Sequence, residues 1–137
     1  MKRMLGVLLA VVLWVTHLGT ANAESLIDMD LASSNRMMTY AQMLQVSRSP
    51  ETFEGQIFRL KGKFNYSQTK EQAKIIFSDN AGCCEISMAF HPDDDLVYPD
   101  DYPPLYADIM ITGCLTIDKD DLETPVWFED TVVEWDN

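Results

Sequence analysis

Basic residues are scarce in this chain: ten Lys and Arg stand against 22 Asp and Glu, for a net charge of −12. Affinity for nucleic acid comes largely from Lys and Arg displacing counterions from phosphates, so the charge argues against a DNA- or RNA-binding role. There are only two histidines, His17 and His91. Neither a Cys-x-x-Cys pair, nor a glycine-rich phosphate loop, nor a nucleophile elbow occurs, and with them go the common redox, nucleotide and hydrolase signatures. Beyond residue 15 nothing approaches the roughly 20 consecutive apolar residues that a membrane helix needs. These absences point away from an enzyme and toward a soluble domain.

What is present first is an export signal. Lys2 and Arg3 form a positive start, residues 5–15 form an uncharged apolar run, and Ala21-Asn22-Ala23 places small residues where a signal peptidase reads them. Residues 1–23 are therefore expected to be removed before Glu24. No cysteine stands at the cleavage point to carry a lipid, so the expected destination is the periplasm or the medium, with no membrane anchor after processing. Lys2 and Arg3 leave with the signal, so the net charge moves from −12 to −14. Such a surface attracts cations, and the expected partner is an unidentified protein or a small cationic ligand. The three cysteines, Cys83, Cys84 and Cys114, all lie in the exported part, where disulfides can persist. An odd count leaves at least one sulfur unpaired in each monomer.

The remaining length suits one domain. Residues 24–35 are polar and mixed and read as a flexible leader, followed by an OB-like domain over 36–137. Apolar residues Met37, Met38, Tyr40, Ala41, Met43, Leu44 and Val46 recur at three- and four-residue spacing, which predicts one amphipathic helix over 36–46. Pro50 and Gly55 then mark a turn. In the stretch 56–64, Phe58, Leu60 and Phe64 share one face while Arg59, Lys61 and Lys63 share the other, the alternation of a half-buried strand. Gly62 falls on the apolar face, where it would let the strand bend as a barrel closes. Residues 66–72 read as a polar hairpin loop and 73–77 as a second strand.

After a turn at Asp79-Asn80-Ala81-Gly82 comes a third strand whose inner set is Cys84, Ile86, Met88 and Phe90. Residues 91–104 are dense in proline, aspartate and tyrosine and read as a long exposed loop. The fourth strand, over 106–117, sets Ile109, Ile111, Leu115 and Ile117 inward, and a fifth covers 126–135. One helix and five strands predict an all-β fold, a five-stranded OB-like barrel with an N-terminal helix.

The stretch from Ser49 through Pro50, Glu51, Phe53 and Gly55 to Gly62 resembles the opening of small secreted bacterial OB-fold proteins. Ala81-Gly82-Cys83-Cys84-Glu85 resembles the double-cysteine segment of that group, and Tyr98-Pro99-Asp100-Asp101-Tyr102-Pro103 with Ile109-Met110-Ile111-Thr112-Gly113 is similar to its proline-rich loop and fourth strand. A more distant likeness is to the extracytoplasmic domain of a bacterial permease-subunit family that also carries adjacent cysteines. The resemblance spans roughly residues 43–135 and implies the fold more than an activity.

Two functional classes follow from the residues. The first is an exported binding module of unknown ligand, using the face that carries Arg59, Lys61 and Lys63. The second is a thiol-redox or soft-metal-handling protein using Cys83 and Cys84, with no other cofactor implied. Adjacent residues on a strand point to opposite faces, so Cys84 is expected inside and Cys83 outside. Three cysteine states stay open: a vicinal bridge at the Gly82 turn, a Cys83–Cys114 bridge in a distorted barrel, or free thiols able to hold a soft metal. Asp93, Asp94 and Asp95, with His91, Asp100 and Asp101 nearby, are weaker metal candidates, because carboxylates on a loop suit calcium but the EF-hand spacing is missing. His91 lies eight residues from Cys83, about 26 Å along a straight strand, too far for a Cys–His pair.

Overall fold

The computed structural model describes residues 26–136, so the expected signal segment, 1–23, lies outside the described residues. The elements in chain order are β1 (Met29–Asp30), α1 (Arg36–Arg48), a 3-10 turn (Pro50–Thr52), β2 (Ile57–Ser67), β3 (Gln72–Ser78), β4 (Glu85–Pro92), β5 (Asp108–Ile117) and β6 (Val126–Glu134). Strands β2 to β6 close into a barrel in the order β2-β3-β4-β6-β5, with β5 pairing back onto β2. Only β4 and β6 run parallel among the barrel pairs. The OB-like expectation is met.

Closure depends on β2 serving two neighbours. Its first half, from Ile57 to Lys63, pairs with β5, while Lys63 to Ser67 pairs with β3. Gly62 sits at the crossover, where an added Cβ would lie 2.7 Å from both the Ile75 side chain and the Ile76 carbonyl oxygen. Any other residue there would push β2 off β3. The stretch read as a leader contributes β1, which lies parallel on β2 with Met29 opposite Phe58 and Asp30 opposite Arg59. Its Leu31 N–H donates to the Arg59 carbonyl at 2.8 Å.

Alternating side chains fill the interior. Phe58, Leu60 and Phe64 from β2, Ile75 from β3, Phe90 from β4, Ile109, Ile111 and Leu115 from β5 and Phe128 from β6 are all buried. Met43 and Val46 of α1 join this core, and the helix packs on β3 and β4. The buried helix stripe is Thr39, Met43 and Val46, whereas Met37 and Met38 are exposed. The expected apolar face was too wide, because the helix touches the barrel along one narrow line and apolar residues occur almost all round it. Asn35 caps the helix, its side chain accepting from the Met38 N–H at 2.9 Å.

Two loop boundaries also move. Tyr66 belongs to β2, so only residues 68–71 connect it to β3. The proline-rich segment folds down on the barrel: Tyr98 stacks on Tyr66 at 3.9 Å, Tyr102 lies 5.3 Å from Phe64, and Pro103 is buried. Backbone bonds from Phe64 N–H to the Ala107 carbonyl and from Tyr106 N–H to the Phe64 carbonyl tie the loop's end to β2.

Candidate metal site

Strand β3 ends at Ser78 and β4 begins at Glu85, so Cys83 and Cys84 lie in the connecting turn and not on a strand. Gly82 takes φ +68° and swings the chain around. Strand alternation does not apply there, which corrects the expectation of an inward Cys84: both cysteines are exposed. Their sulfurs lie on one side of the turn, 3.7 Å apart.

The turn is wrapped around the carboxylate of Asp79. One oxygen, Oδ1, accepts from the Cys83 N–H at 3.1 Å and from the Cys84 N–H at 3.5 Å, and the other, Oδ2, accepts from the Cys83 thiol at 3.3 Å. The Asp79 N–H donates to the Cys84 carbonyl at 3.1 Å, closing the turn. Among the described residues, only Asp79, Cys83 and Cys84 form a group of three His, Cys, Asp or Glu donor atoms within 4.8 Å of one another. The sequence signal for Asp79 was its place at the head of a turn, where aspartate side chains bond the backbone a few residues on.

These contacts set the protonation of the site. The hydrogen bond to Asp79, then that to Cys84, and the negative charge of both push the Cys83 thiol up to about 11. Desolvation pulls the Asp79 carboxyl upward, but the hydrogen bonds from the Cys83 thiol and the Cys84, Gly82 and Cys83 backbones outweigh it and hold that carboxyl below its usual range. Tyr40 of α1 stands within electrostatic reach. Burial first, then Cys84, Asp79 and Cys83, raise its phenol against the opposing effect of Arg48.

The other candidates are dispersed. Asp93, Asp94 and Asp95 are exposed and form no such donor group. The His91 ring shares the Glu129 carboxylate, 3.2 Å from Nδ1, with the Trp127 indole N–H. Cys114 faces Ile57 and Glu129 across its two neighbouring strands, and β5 does not pair with β4. A Cys83–Cys114 bridge is absent, and all three thiols are free. Burial, with Asp130 and Asp28 adding to it, pushes the Cys114 thiol up. Of the cationic residues on β2, Arg59 reaches Asp30 at 3.9 Å and Lys63 reaches Asp108 at 2.9 Å. Phe64, Tyr66, Tyr98 and Tyr102 of β2 and the loop stack on one another, which occupies ring faces that bases would otherwise use.

Comparison with family models, curated proteins and solved structures finds no match to this chain.

Proposed function

We propose that this is an exported metal-binding module, allied to the small secreted bacterial OB-fold proteins whose double-cysteine segment it resembles, and that Asp79, Cys83 and Cys84 hold a thiophilic ion. The observation that carries this reading is the convergence of two thiols and a carboxylate within 4.8 Å at an exposed turn. Distances support a particular coordination. Two sulfurs bound at about 2.3 Å to a tetrahedral ion stand about 3.8 Å apart, whereas a linear arrangement with the same bonds needs about 4.6 Å. The 3.7 Å between Cys83 and Cys84 is the contact distance of two touching thiols and needs little adjustment to reach the first. Zinc-class ions fit best on that ground, with Asp79 Oδ2 as a third donor and a fourth position left to water or to an incoming ligand. The net charge of −12 draws cations toward the surface.

The thiol-exchange alternative has less support. A thiol pushed up to about 11 is almost wholly protonated at neutral pH, and the thiolate is the attacking species. A bound metal ion displaces those protons itself. The test is titration of the reduced, metal-free protein with Zn(II), Co(II) and Cu(I), followed by thiolate-to-metal absorption and metal analysis after gel filtration. One Zn(II) or Co(II) per chain, lost in Cys83→Ser and Cys84→Ser and weakened in Asp79→Ala, is expected. Retention of none of the three ions would remove the reading.

A further inference from the structure

We propose a second site: the cleft where β2 parts from β3 binds a compact oxyanion, the carboxylate or phosphate group of a small molecule. The cleft follows from register. β1 covers Phe58 and Arg59 on one edge of β2, and β3 takes up the same edge only from Lys63, opposite Ile76. Among the described residues, no strand pairs with residues 60–62 on that side. β3 nevertheless runs on to Ser78, and the first turn of α1 lies across the gap. The resulting space is ≈ 330 Å³, lined by Arg36, Lys61 and Lys63 and by the hydroxyl-bearing Ser34, Thr39 and Ser78. That volume lies in the range of small-ligand sites.

Charge gives the ligand its sign. This chain holds 22 acidic residues against ten basic ones, and Arg59, Lys63 and Lys70 each find a carboxylate within 4.0 Å. Arg36 and Lys61, like Arg48, Lys74 and Lys119, make no ion pair among the described residues, and these two converge on the same cleft. Asp108 is the one acid lining it, and Lys63 neutralises that carboxylate at 2.9 Å. A guanidinium offers a flat fork of donors matched to two oxygens of a carboxylate or phosphate, and an ammonium adds a point charge beside it. Ser34 offers a further hydroxyl donor, those of Thr39 and Ser78 being given to the Asn35 carbonyl at 3.3 Å and the Glu85 carboxylate at 3.4 Å, while Ile76 and Phe77 supply apolar wall for the body that carries the oxyanion. A polyanion is disfavoured by the field of the whole acidic molecule, which restricts the ligand to something small.

The experiment is a two-dimensional amide NMR titration of the full secreted chain, reduced and free of metal, at low ionic strength. Inorganic phosphate and succinate are the probes, and they separate the two sources of the oxyanion. Saturable shifts at Arg36, Gly62 and Ser78 with either probe are expected. Lys61→Ala and Arg36→Ala, both at exposed positions, should each weaken binding about tenfold, the loss of one charge-assisted hydrogen bond. Lys70→Ala, outside this cleft, should leave it unchanged. Absence of saturable shifts at those amides with both probes would overturn the proposal, and so would equal weakening by Lys70→Ala. Metal is excluded throughout, so this outcome is separate from that of the thiol site.

Discussion

Replacing Asp79 with asparagine should make Cys83 more reactive. The substitution keeps a side-chain oxygen for the Cys83 and Cys84 N–H groups, now accepted by Oδ1 at 3.1 and 3.5 Å, while removing the negative charge that holds the Cys83 thiol at 3.3 Å. That carboxylate is the largest cause lifting the thiol from 9.0 to about 11. At pH 8 a thiol at about 11 is about 0.1% thiolate, and a full return to about 9 raises that nearly a hundredfold. Intrinsic nucleophilicity falls with pKa at a Brønsted slope of about 0.5, which takes back about tenfold. The net acceleration is thus about tenfold for a full return. It falls to about threefold if the hydrogen bond to Cys84 preserves half of the shift. The assay is pseudo-first-order reaction with a small aromatic disulfide at pH 8, with peptide mapping to assign the sulfur. Cys114, half-buried and pushed up by burial, should remain slow in both proteins. An unchanged or slower rate at Cys83 in Asp79→Asn would refute the assignment of Asp79 as the group that holds the thiol protonated.

Three further outcomes are expected. The Cys83 thiol has a raised pKa in the folded turn, so its contribution to stability is complete below pH 9.0 and is lost as pH rises toward 11; the protection of the Gly82 to Cys84 amides, measured relative to the intrinsic base-catalysed exchange rate at each pH, should fall across that window in wild type and not in Cys83→Ser. Gly62→Ala places a methyl 2.7 Å from a carbonyl oxygen and should cost about 1–3 kcal/mol in urea unfolding, and a loss under 0.5 kcal/mol would show that β2 and β3 separate without strain. Tyr98→Ala removes a ring stacked 3.9 Å from Tyr66 and should lose at least about 0.5–1.5 kcal/mol while quickening exchange at Tyr102 and Ala107; unchanged exchange would mean that the loop is held by its backbone bonds alone.

The barrel was legible because half-buried strands write themselves at period two. Phe58, Leu60 and Phe64, and again Ile109, Ile111 and Leu115, share one parity along their strands, and each set is buried. Alternation misled where it was carried past a strand's end. Cys84 has the parity of Ile86 and Met88, yet β4 starts at Glu85 and the left-handed Gly82 turns the chain outward before it. In α1 the opposite problem arose: Met37, Met38 and Tyr40 share the helix with Met43 and Val46, so composition alone did not show which line of residues faces β3. Asp79 was visible as a turn residue but not as a sulfur's partner, since that contact depends on how six residues fold over one carboxylate. Lys61 and Lys63 were legible as one cationic face, but the cleft that they line could not be read from the chain. It exists because β1, β3 and α1 meet the same edge of β2 at different heights, a matter of register between distant segments.

That register also joins the two proposed sites. Ser78, the last residue of β3, lines the cleft, and Asp79, the next residue, heads the thiol turn. On α1, Arg36 and Thr39 stand over the cleft, while Tyr40 feels the charges of Cys84, Asp79 and Cys83. A cation held at the turn and an anion held in the cleft would therefore share one strand end and one helix, with opposite charges that favour each other. Coupling of this kind is reciprocal, so succinate should tighten Zn(II) binding by the same factor by which Zn(II) tightens succinate binding. Salt should weaken the coupling before it weakens the metal site itself, because the attraction crosses exposed surface whereas the metal–sulfur bonds do not. Lys61→Ala should remove the effect of succinate on Zn(II) affinity and leave the affinity without succinate close to that of wild type, since Lys61 lines the cleft and is not among the groups that shift the Cys83 or Asp79 protons. Equal Zn(II) affinity with and without saturating succinate in wild type would mean that the sites, if both are filled, act independently.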